Sequence, residues 1–326
     1  MNFRHLISTI VLSTLTAPLT SAQKTIPVPT WKPGSISYYS VHLKTSRDIK
    51  TKSAMALPEV PNEAKIDVSG ILQVEILAPD ITTKFPGVRL RTHFFYLSSD
   101  ISAVQRGKKP DQSNLERTPA DAKNVDCLLQ PDGQITQITG LDALAAEQQD
   151  AWREWASHLS TAFLIETETR KSGSKWNSEQ PETSPSPISE LFWQKKSQYV
   201  HDEPCAPVKY NSARQTERVP NSESCAVILT TASLVQKSSQ QDATPQDYKL
   251  RNLRTRGTAK GANEIILYIS RKTGQLIRAT QNAKQQMDVQ IALADGTNQV
   301  HYEVTASANS AVELVTELPF NPHPNP

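Results

Sequence analysis

The densest cluster of potential ligand side chains is His201-Asp202-Glu203, just before Cys205. Imidazole and carboxylate groups are common metal ligands in proteins. Consecutive residues of a β-strand point to opposite faces, however, so three neighbours in sequence cannot easily face one ion. The cluster therefore favours a solvated strand end over a metal site.

Sequence patterns that mark common enzyme sites are absent from the chain. It contains no Gly-x-Ser-x-Gly, no His-Glu-x-x-His, no Cys-x-x-Cys, no glycine-rich phosphate loop and no EF-hand spacing. His42 and His93 fall on outward strand positions, without an assignable partner. We therefore predict no catalytic residues, no metal, no cofactor and a protein that is not an enzyme. A hydrolase with a site assembled from dispersed residues is the third hypothesis.

The cysteines Cys127, Cys205 and Cys225 allow one disulfide bond and leave one thiol over. Cys205 and Cys225 bracket a polar loop that contains proline, and we predict that they pair. Cys127 precedes Leu128 and Leu129, which is typical of a buried thiol on a strand. No basic neighbour in sequence would lower its pKa and make it a nucleophile.

The N-terminus predicts a secretory signal peptide over residues 1–22. Arg4 supplies the positive start, residues 6–15 are mostly apolar, and Thr20-Ser21-Ala22 provides small residues for cleavage. No later run of ~18 apolar residues could span a membrane as a helix. We therefore expect the mature protein to be periplasmic or secreted, with no membrane span.

Charge gives little indication of a polymeric partner. The formal net charge is +2 and the mean hydropathy is -0.48, so no global basic field attracts nucleic acid. One local basic stretch, residues 249–260, contains no acidic residue. It is typical of a solvated face, and its functional alternative is contact with an anionic envelope polymer or a lipid head group.

Alternating apolar and polar residues predict antiparallel strands through most of the chain. In residues 37–43, Tyr39, Val41 and Leu43 alternate with polar positions, as on a strand with one buried face. Residues 71–77 and 88–97 follow the same rule, with Leu72 and Val74 inward. Outward charges exclude parallel strands that are buried on both faces. Residues 48–65 and 100–124 are predicted to be loops or connections.

A hairpin and a helix are predicted near the middle of the chain. Strands 125–130 and 134–138 flank the turn Pro131-Asp132-Gly133, because Asp-Gly supplies positive φ angles. Apolar residues then recur at helical spacing over 141–165. This stripe predicts one long helix, docked on the sheet or acting as a lid over a ligand cavity. Its candidate ligand-binding residues are Trp152, Trp155, Leu159 and Phe163.

The C-terminal part predicts a four-stranded meander over 264–269, 275–280, 287–293 and 300–304. The division of the chain is then a lead-in over 23–36, a single β-rich domain over 37–318 and a proline-rich tail over 319–326. A boundary near 170–190 is the alternative. The predicted fold is a curved antiparallel sheet or incomplete β-barrel, with the long helix on its concave face.

The order of these elements resembles uncharacterised bacterial secreted domains. A signal peptide, antiparallel strands, the Pro131-Asp132-Gly133-Gln134-Ile135 hairpin, a helix, Gly173-Ser174-Lys175-Trp176 and a β meander follow one another. The arrangement is more distantly similar to the open half-barrels of the LolA and LprG type. That resemblance implies a curved sheet that wraps helices and holds lipid in its hollow, and no individual residue carries over.

Two functions follow as expectations. The first is a non-enzymatic extracytoplasmic protein that binds a lipid or another hydrophobic or amphiphilic envelope component beneath the helix. The second is a structural or interaction module of the envelope with a filled core and no ligand. A cavity lined by apolar side chains would favour the first, and a solid core the second.

Overall fold

The structure is a computed structural model. It describes residues 25–26, 31–52, 63–79, 87–104, 124–130, 134–144, 149, 152, 170–182, 186–211, 213, 215–220 and 223–318. The predicted signal peptide and the tail over 319–326 lie outside these residues.

Nearly all of the regular structure in this part of the chain is β-strand. The elements are β1 (Thr25–Ile26), β2 (Ile36–Lys52), β3 (Glu63–Ile76), β4 (Val88–Val104), β5 (Val125–Leu129), β6 (Ile135–Thr139), β7 (Arg170–Lys171), β8 (Lys175–Pro181), β9 (Leu191–Cys205), β10 (Val208–Tyr210), β11 (Thr216–Arg218), β12 (Glu223–Gln236), α1 (Gln246–Leu250), β13 (Leu253–Ser270), β14 (Leu276–Leu293) and β15 (Val300–Val315).

The main sheet is antiparallel and open, as the sequence predicts. Its strand order is β6-β5-β4-β3-β2-β15-β14-β13-β12-β9-β8, and the hairpin β10-β11 joins β15 beside this path. Among the described strands, the two ends of the path, β6 and β8, do not pair with each other. The short strands β1 and β7 pair separately.

One face of the sheet, which we call the inner face, carries the main core. Tyr39, Val41 and Leu43 are buried on it, and the register places Leu72 and Val68 opposite Tyr39 and Leu43. The other face, which we call the outer face, presents charged side chains. Period-two alternation therefore predicts the inner face of β2 and β3 correctly, whereas on the outer face Ile71 is buried in a smaller cluster with Val208 and Tyr210.

The main core lies at one end of the inner face, which we call the core end. Leu72, Leu90, Phe94 and Leu267 pack there with Trp152, which is 2% exposed. Gly70 allows this packing, because a Cβ atom at that position would lie 2.3 Å from Cζ of Phe94. The Phe94 ring thus occupies the space that a larger residue at 70 would need.

The helix predicted over 141–165 does not begin where the sequence indicated. Residues 141–144 form a turn and a bend, with the amide of Leu144 bonded to the carbonyl of Leu141. Both leucine side chains are buried in the core, which explains why they match the apolar stripe without being helical. Gln149 and Trp152 are helical, and the rest of the stripe lies outside the described residues. Among these residues, the named helix is the short α1.

The meander has three strands rather than four. Residues predicted as two strands, 275–280 and 287–293, form the single strand β14, because polar residues between them continue the ladder with β13 and β15. The predicted loop over 48–65 is strand over 48–52 and 63–65, and the predicted connection is strand over 100–104. Strand β8 lies in the region near 170–190 that the sequence offered as an alternative boundary.

The predicted hairpin of β5 and β6 is present, with its turn outside the described residues. The predicted disulfide bond joins Cys205 to Cys225, with 5.7 Å between their Cα atoms. Cys127 is a free, buried thiol on β5, as predicted. No helix in the described part of the chain has the length and hydropathy of a membrane crossing.

Candidate functional site

Beyond the core end, the inner face of the same strands becomes polar. Cross-strand register places successive residues of β9, β12, β13 and β14 side by side there. One row runs Lys195, Ala232, Asn263 and Ala283. Although Lys195 and Asn263 are polar, each is only 8% exposed. Burial of polar groups is costly unless they are hydrogen-bonded, so their partners define what this region can do.

Hydrogen-bonded side chains surround Asn263, and we call this set the polar frame. Its pairs are Lys195 with Gln180, Ser197 with Thr230 (2.7 Å), Ser310 with Gln281 (3.2 Å), and both Trp193 (2.8 Å) and Gln285 (3.0 Å) with the carboxylate of Glu182. The frame spans strands β8 to β15 and includes the segment just after β8. Its side chains come from five strands, β8, β9, β12, β14 and β15, and Asn263 lies on β13 among them.

Asn263 differs from the rest of the frame. Its Oδ1 atom is buried and accepts no hydrogen bond from any described residue. The residues directly opposite it on both neighbouring strands are alanines, Ala232 and Ala283. Their short apolar side chains offer the amide oxygen no hydrogen-bond donor. The arrangement can accept one hydrogen bond from a ligand donor.

Small and apolar side chains continue the row away from Asn263. Ala283 is followed across the sheet by Ala308, Thr45 and Ile66. We call the two alanines Ala283 and Ala308 the alanine path. A parallel row nearer the far end of the strands places Met287, Val304 and Ile49 side by side, each half-buried. These apolar side chains thus lie four residues along the strands from Ala283, and Met287 packs there against a second core cluster that includes Leu191, Leu234 and Val289.

Of the predicted ligand-binding residues, the structure describes Trp152. It lies at the core end and not in the polar frame. Trp155, Leu159 and Phe163 lie outside the described residues. Their role in ligand binding therefore stays a prediction, as does the curvature of the sheet.

The His201-Asp202-Glu203 cluster is divided between two faces, as the strand geometry predicts. His201 pairs with Glu203 at 3.0 Å, and this hydrogen bond is the main cause that holds the pKa of Glu203 below its ordinary value. Asp202 instead accepts from the hydroxyl of Tyr199 and pairs with Arg271 at 3.0 Å. The three side chains do not converge on one point.

A different trio has metal-ligand geometry on the outer face. The ligand atoms of Asp288, His301 and Glu303 lie within 4.8 Å of one another. His301 bonds Asp288 at 2.7 Å, and the Asp288 side chain is largely exposed. A cross-strand ion pair on a solvated face explains this arrangement, and we assign it no ion.

The basic stretch lies at the end of α1 and on the outward-facing positions in the first half of β13. Arg254, Arg256 and Lys260 are exposed, whereas Thr255 and Ala259 between them are buried. The stretch therefore lies on a solvated face. Contact with an anionic polymer or head group stays a prediction.

Cys127 has the environment of a structural thiol. Burial raises its pKa to about 12, and the charge of Asp126 adds to this effect. Since the thiolate is the reactive form, the side chain stays protonated at neutral pH.

Sequence reasoning missed the polar frame because its members do not form a motif. Asn263 comes just before a run with apolar residues at 265, 267 and 269, and it shares their face. The sequence did contain one indication of this region, which was a different kind of alternation along β13. Positions 255 to 263 alternate small or uncharged inward residues with exposed outward ones, of which Arg256 and Lys260 are charged. This pattern predicts a strand whose inner face leaves room.

No family model and no curated protein matches the chain. Among solved structures, one described as lipid-protein interactions in lipovitellin is 12% identical, with a TM-score of 0.39. The alignment covers 87% of this chain and 25% of that one, so this chain spans a quarter of that protein's length.

Two further structures are less similar. OpdQ of Pseudomonas aeruginosa is 8% identical with a TM-score of 0.18, over 87% of this chain and 99% of that one. CymD, a monoaromatic hydrocarbon channel, is 7% identical with a TM-score of 0.13, over 85% and 88% of the two chains. With TM-scores this low, these likenesses assign this chain neither a fold family nor an activity.

Proposed function

We propose that the chain is a non-enzymatic extracytoplasmic protein that binds an amphiphilic envelope component, such as a lipid, on the inner face of its sheet. The observation that carries this proposal is the buried Oδ1 atom of Asn263, which accepts no hydrogen bond from the described residues. An unsatisfied buried acceptor costs about 1–3 kcal/mol. A ligand hydroxyl or amide that donates to it would remove this cost.

The surroundings of Asn263 favour an amphiphile over a wholly polar ligand. The polar frame offers further hydrogen-bonding groups for a head group. The alanine path continues across the sheet from Asn263, and a parallel row nearer the far end of the strands holds the half-buried side chains of Met287, Val304 and Ile49. Apolar surface gains about 25 cal/mol for each Å² that it removes from water, so a hydrocarbon chain along this path would be stabilised.

The proposed location has support from the disulfide bond. Bonds between cysteines persist mainly in oxidising compartments outside the cytoplasm. Cys205 and Cys225 form such a bond. The predicted signal peptide over residues 1–22 would direct the chain there.

A structural module of the envelope is the second candidate, and the core end favours it. Trp152 is buried among the strand residues that would line a hollow beneath it, including Leu72, Val74, Leu90 and Phe94. Close packing at this end leaves the polar frame and the alanine path as the region in which the two functions differ.

Ligand retention tests the proposal directly. Protein purified from the extracytoplasmic fraction is analysed by native mass spectrometry, and its organic extract is analysed for lipid. Delipidated protein is then titrated with a fluorescent fatty acid. We expect co-purified lipid and saturable binding, with Ala283→Leu weakening binding at least about tenfold, equivalent to 1.4 kcal/mol.

Ala262→Leu is the matched control. Ala262 is next to Asn263 on β13 but exposed on the outer face, so the same added atoms should not change binding. Equal binding by both variants would exclude the inner face as the site. If no lipid co-purifies and the probe does not bind saturably, the structural module becomes the better account.

A further inference from the structure

A pocket lies on the outer face, where the disulfide-bonded end of β9 and β12 meets β11, β13 and β14. Its volume is about 340 Å³, and one wall contains the sulfur-bearing side chain of Cys205. Ligand pockets for small molecules start near 300 Å³. The pocket is on the opposite face from Asn263, so its function is independent of the proposed inner-face site.

Arg278 is the most informative residue of this pocket. Its guanidinium lies 4.1 Å from the ring centroid of Tyr268, in a cation-π contact. Its Nε atom is buried and finds no acceptor in the described part of the chain. Arginine normally uses its planar set of donors on carboxylate or phosphate groups. Here the stacked ring fixes the side chain, and none of the described residues supplies an acceptor for the buried Nε donor.

The other charged groups determine the net charge of the residues that line the pocket. Arg218 lies at the rim, half-exposed, with a long contact of 3.4 Å to Glu313. Glu203 also lines the pocket, but His201 and then Tyr268 hydrogen-bond its carboxylate and keep its pKa low. Two guanidinium groups and one carboxylate leave a net charge of one positive unit among the lining residues. The pocket therefore favours a singly charged anion.

The remaining walls are apolar. Ala206, Val219 and Ile277 line the pocket together with Pro204. Such walls exclude water from part of the space and favour a ligand with a hydrocarbon portion. The fixed negative charge of Glu203 opposes a doubly charged phosphate more than a singly charged carboxylate.

We propose that this pocket binds a small organic carboxylate, with its carboxylate on Arg278 and Arg218 and its hydrocarbon part against Val219 and Ile277. A carboxylate matches the arginine fork and supplies the acceptor that Arg278 lacks. The compact apolar body fills the space beside the disulfide bond.

The experiment uses benzoate as the probe and benzamide as its uncharged counterpart. Each is titrated into the purified full-length protein by NMR, with the Arg278 Nε–Hε signal and the Ile277 amide as reporters. We expect benzoate to shift both signals in a saturable way, with benzamide at least about tenfold weaker. Equal affinity for the two compounds, or stronger binding of inorganic phosphate than of benzoate, would overturn the proposal.

Variants assign the binding to the pocket. Arg278→Gln should weaken benzoate binding at least about tenfold, and Arg218→Gln by a smaller factor, because Arg218 is at the rim. Arg256→Gln removes an exposed cation of the same face outside the pocket and should leave affinity unchanged. Wild-type affinity in Arg278→Gln contradicts the proposal. If that variant does not fold, wild-type affinity in Arg218→Gln contradicts it instead.

Discussion

Tyr199 and Asn263 are both buried on the inner face, yet their side-chain oxygen atoms differ in hydrogen bonding. The hydroxyl of Tyr199, at the core end, donates to Asp202 and accepts from Arg271 at 2.7 Å. The amide oxygen of Asn263, inside the polar frame, accepts nothing from the described residues. Because most buried polar groups in proteins are hydrogen-bonded, the first arrangement is typical of a structural core, and the second is the observation on which the proposed binding site rests.

The cross-strand neighbours of Tyr199 and Asn263 also differ, in the size of their side chains. Tyr199 is opposite Ile228, which is opposite Leu267, and all three are fully buried in the main core. Asn263 is flanked by alanines. Large side chains thus fill the core end, whereas the residues on either side of Asn263 are short. The same three strands, β9, β12 and β13, carry both regions.

The largest effect should come from Trp152→Ala. This side chain is buried at the core end, so its removal should lower the free energy of unfolding by about 3–5 kcal/mol, as for other core tryptophans. Urea denaturation of the delipidated protein measures it. A loss below about 1 kcal/mol, together with reduced lipid retention, would contradict a purely structural core end and favour the lid interpretation.

The dependence of stability on alkaline pH tests the role of Tyr199 at the core end. Burial, and then the hydrogen bond to Asp202, raise the pKa of Tyr199 to about 12. A raised pKa in the folded state means that protonated Tyr199 stabilises the fold fully below pH 10, the ordinary pKa of tyrosine. That contribution is lost as pH rises from 10 through about 12.

We therefore expect the wild type to lose stability more steeply above pH 10 than Tyr199→Phe, which cannot ionise at this position. Denaturant unfolding at several pH values measures both proteins. The comparison cancels the contribution of other titrating groups, including Tyr39, whose pKa burial also raises to about 12. Parallel pH profiles of the two proteins would contradict a raised pKa of Tyr199 in the folded state.

The core end could be predicted from the sequence to a large extent, and the polar frame could not. Alternation placed Tyr39, Val41 and Leu43 correctly because apolar side chains must leave water. The pairing of Cys205 with Cys225 followed from their spacing around a loop. Both predictions depend on residue type and local sequence alone.

The polar frame depends on cross-strand register, which local sequence does not determine. Asn263 is next to Ala283 only because β13 and β14 pair over their whole length through a polar middle section. That section was predicted as a break between two strands. Likewise, the apolar stripe over 141–165 predicted a helix from spacing, although Leu141 and Leu144 reach the core from a turn. Spacing identifies buried residues better than it identifies backbone conformation.

The smallest expected effect comes from Asn263→Leu. This substitution is expected to raise stability and not to lower it. Leucine has a similar branched shape but no polar atom, so the variant removes an unsatisfied buried acceptor. We expect the delipidated variant to be about 1 kcal/mol more stable than the wild type in urea, while binding the fatty-acid probe more weakly. Stability and binding then change in opposite directions, as at other sites where function retains an unfavourable group.

Gln281→Leu is the matched control, since Gln281 is equally buried on the inner face but accepts a hydrogen bond from Ser310. Its replacement leaves the Ser310 hydroxyl without this acceptor and should lower stability by about 1 kcal/mol. The two substitutions introduce the same side chain on neighbouring strands, so a difference in sign reports on hydrogen bonding and not on added volume. If both variants lose stability equally, the oxygen of Asn263 is satisfied in solution, and the argument for a ligand donor at this position fails.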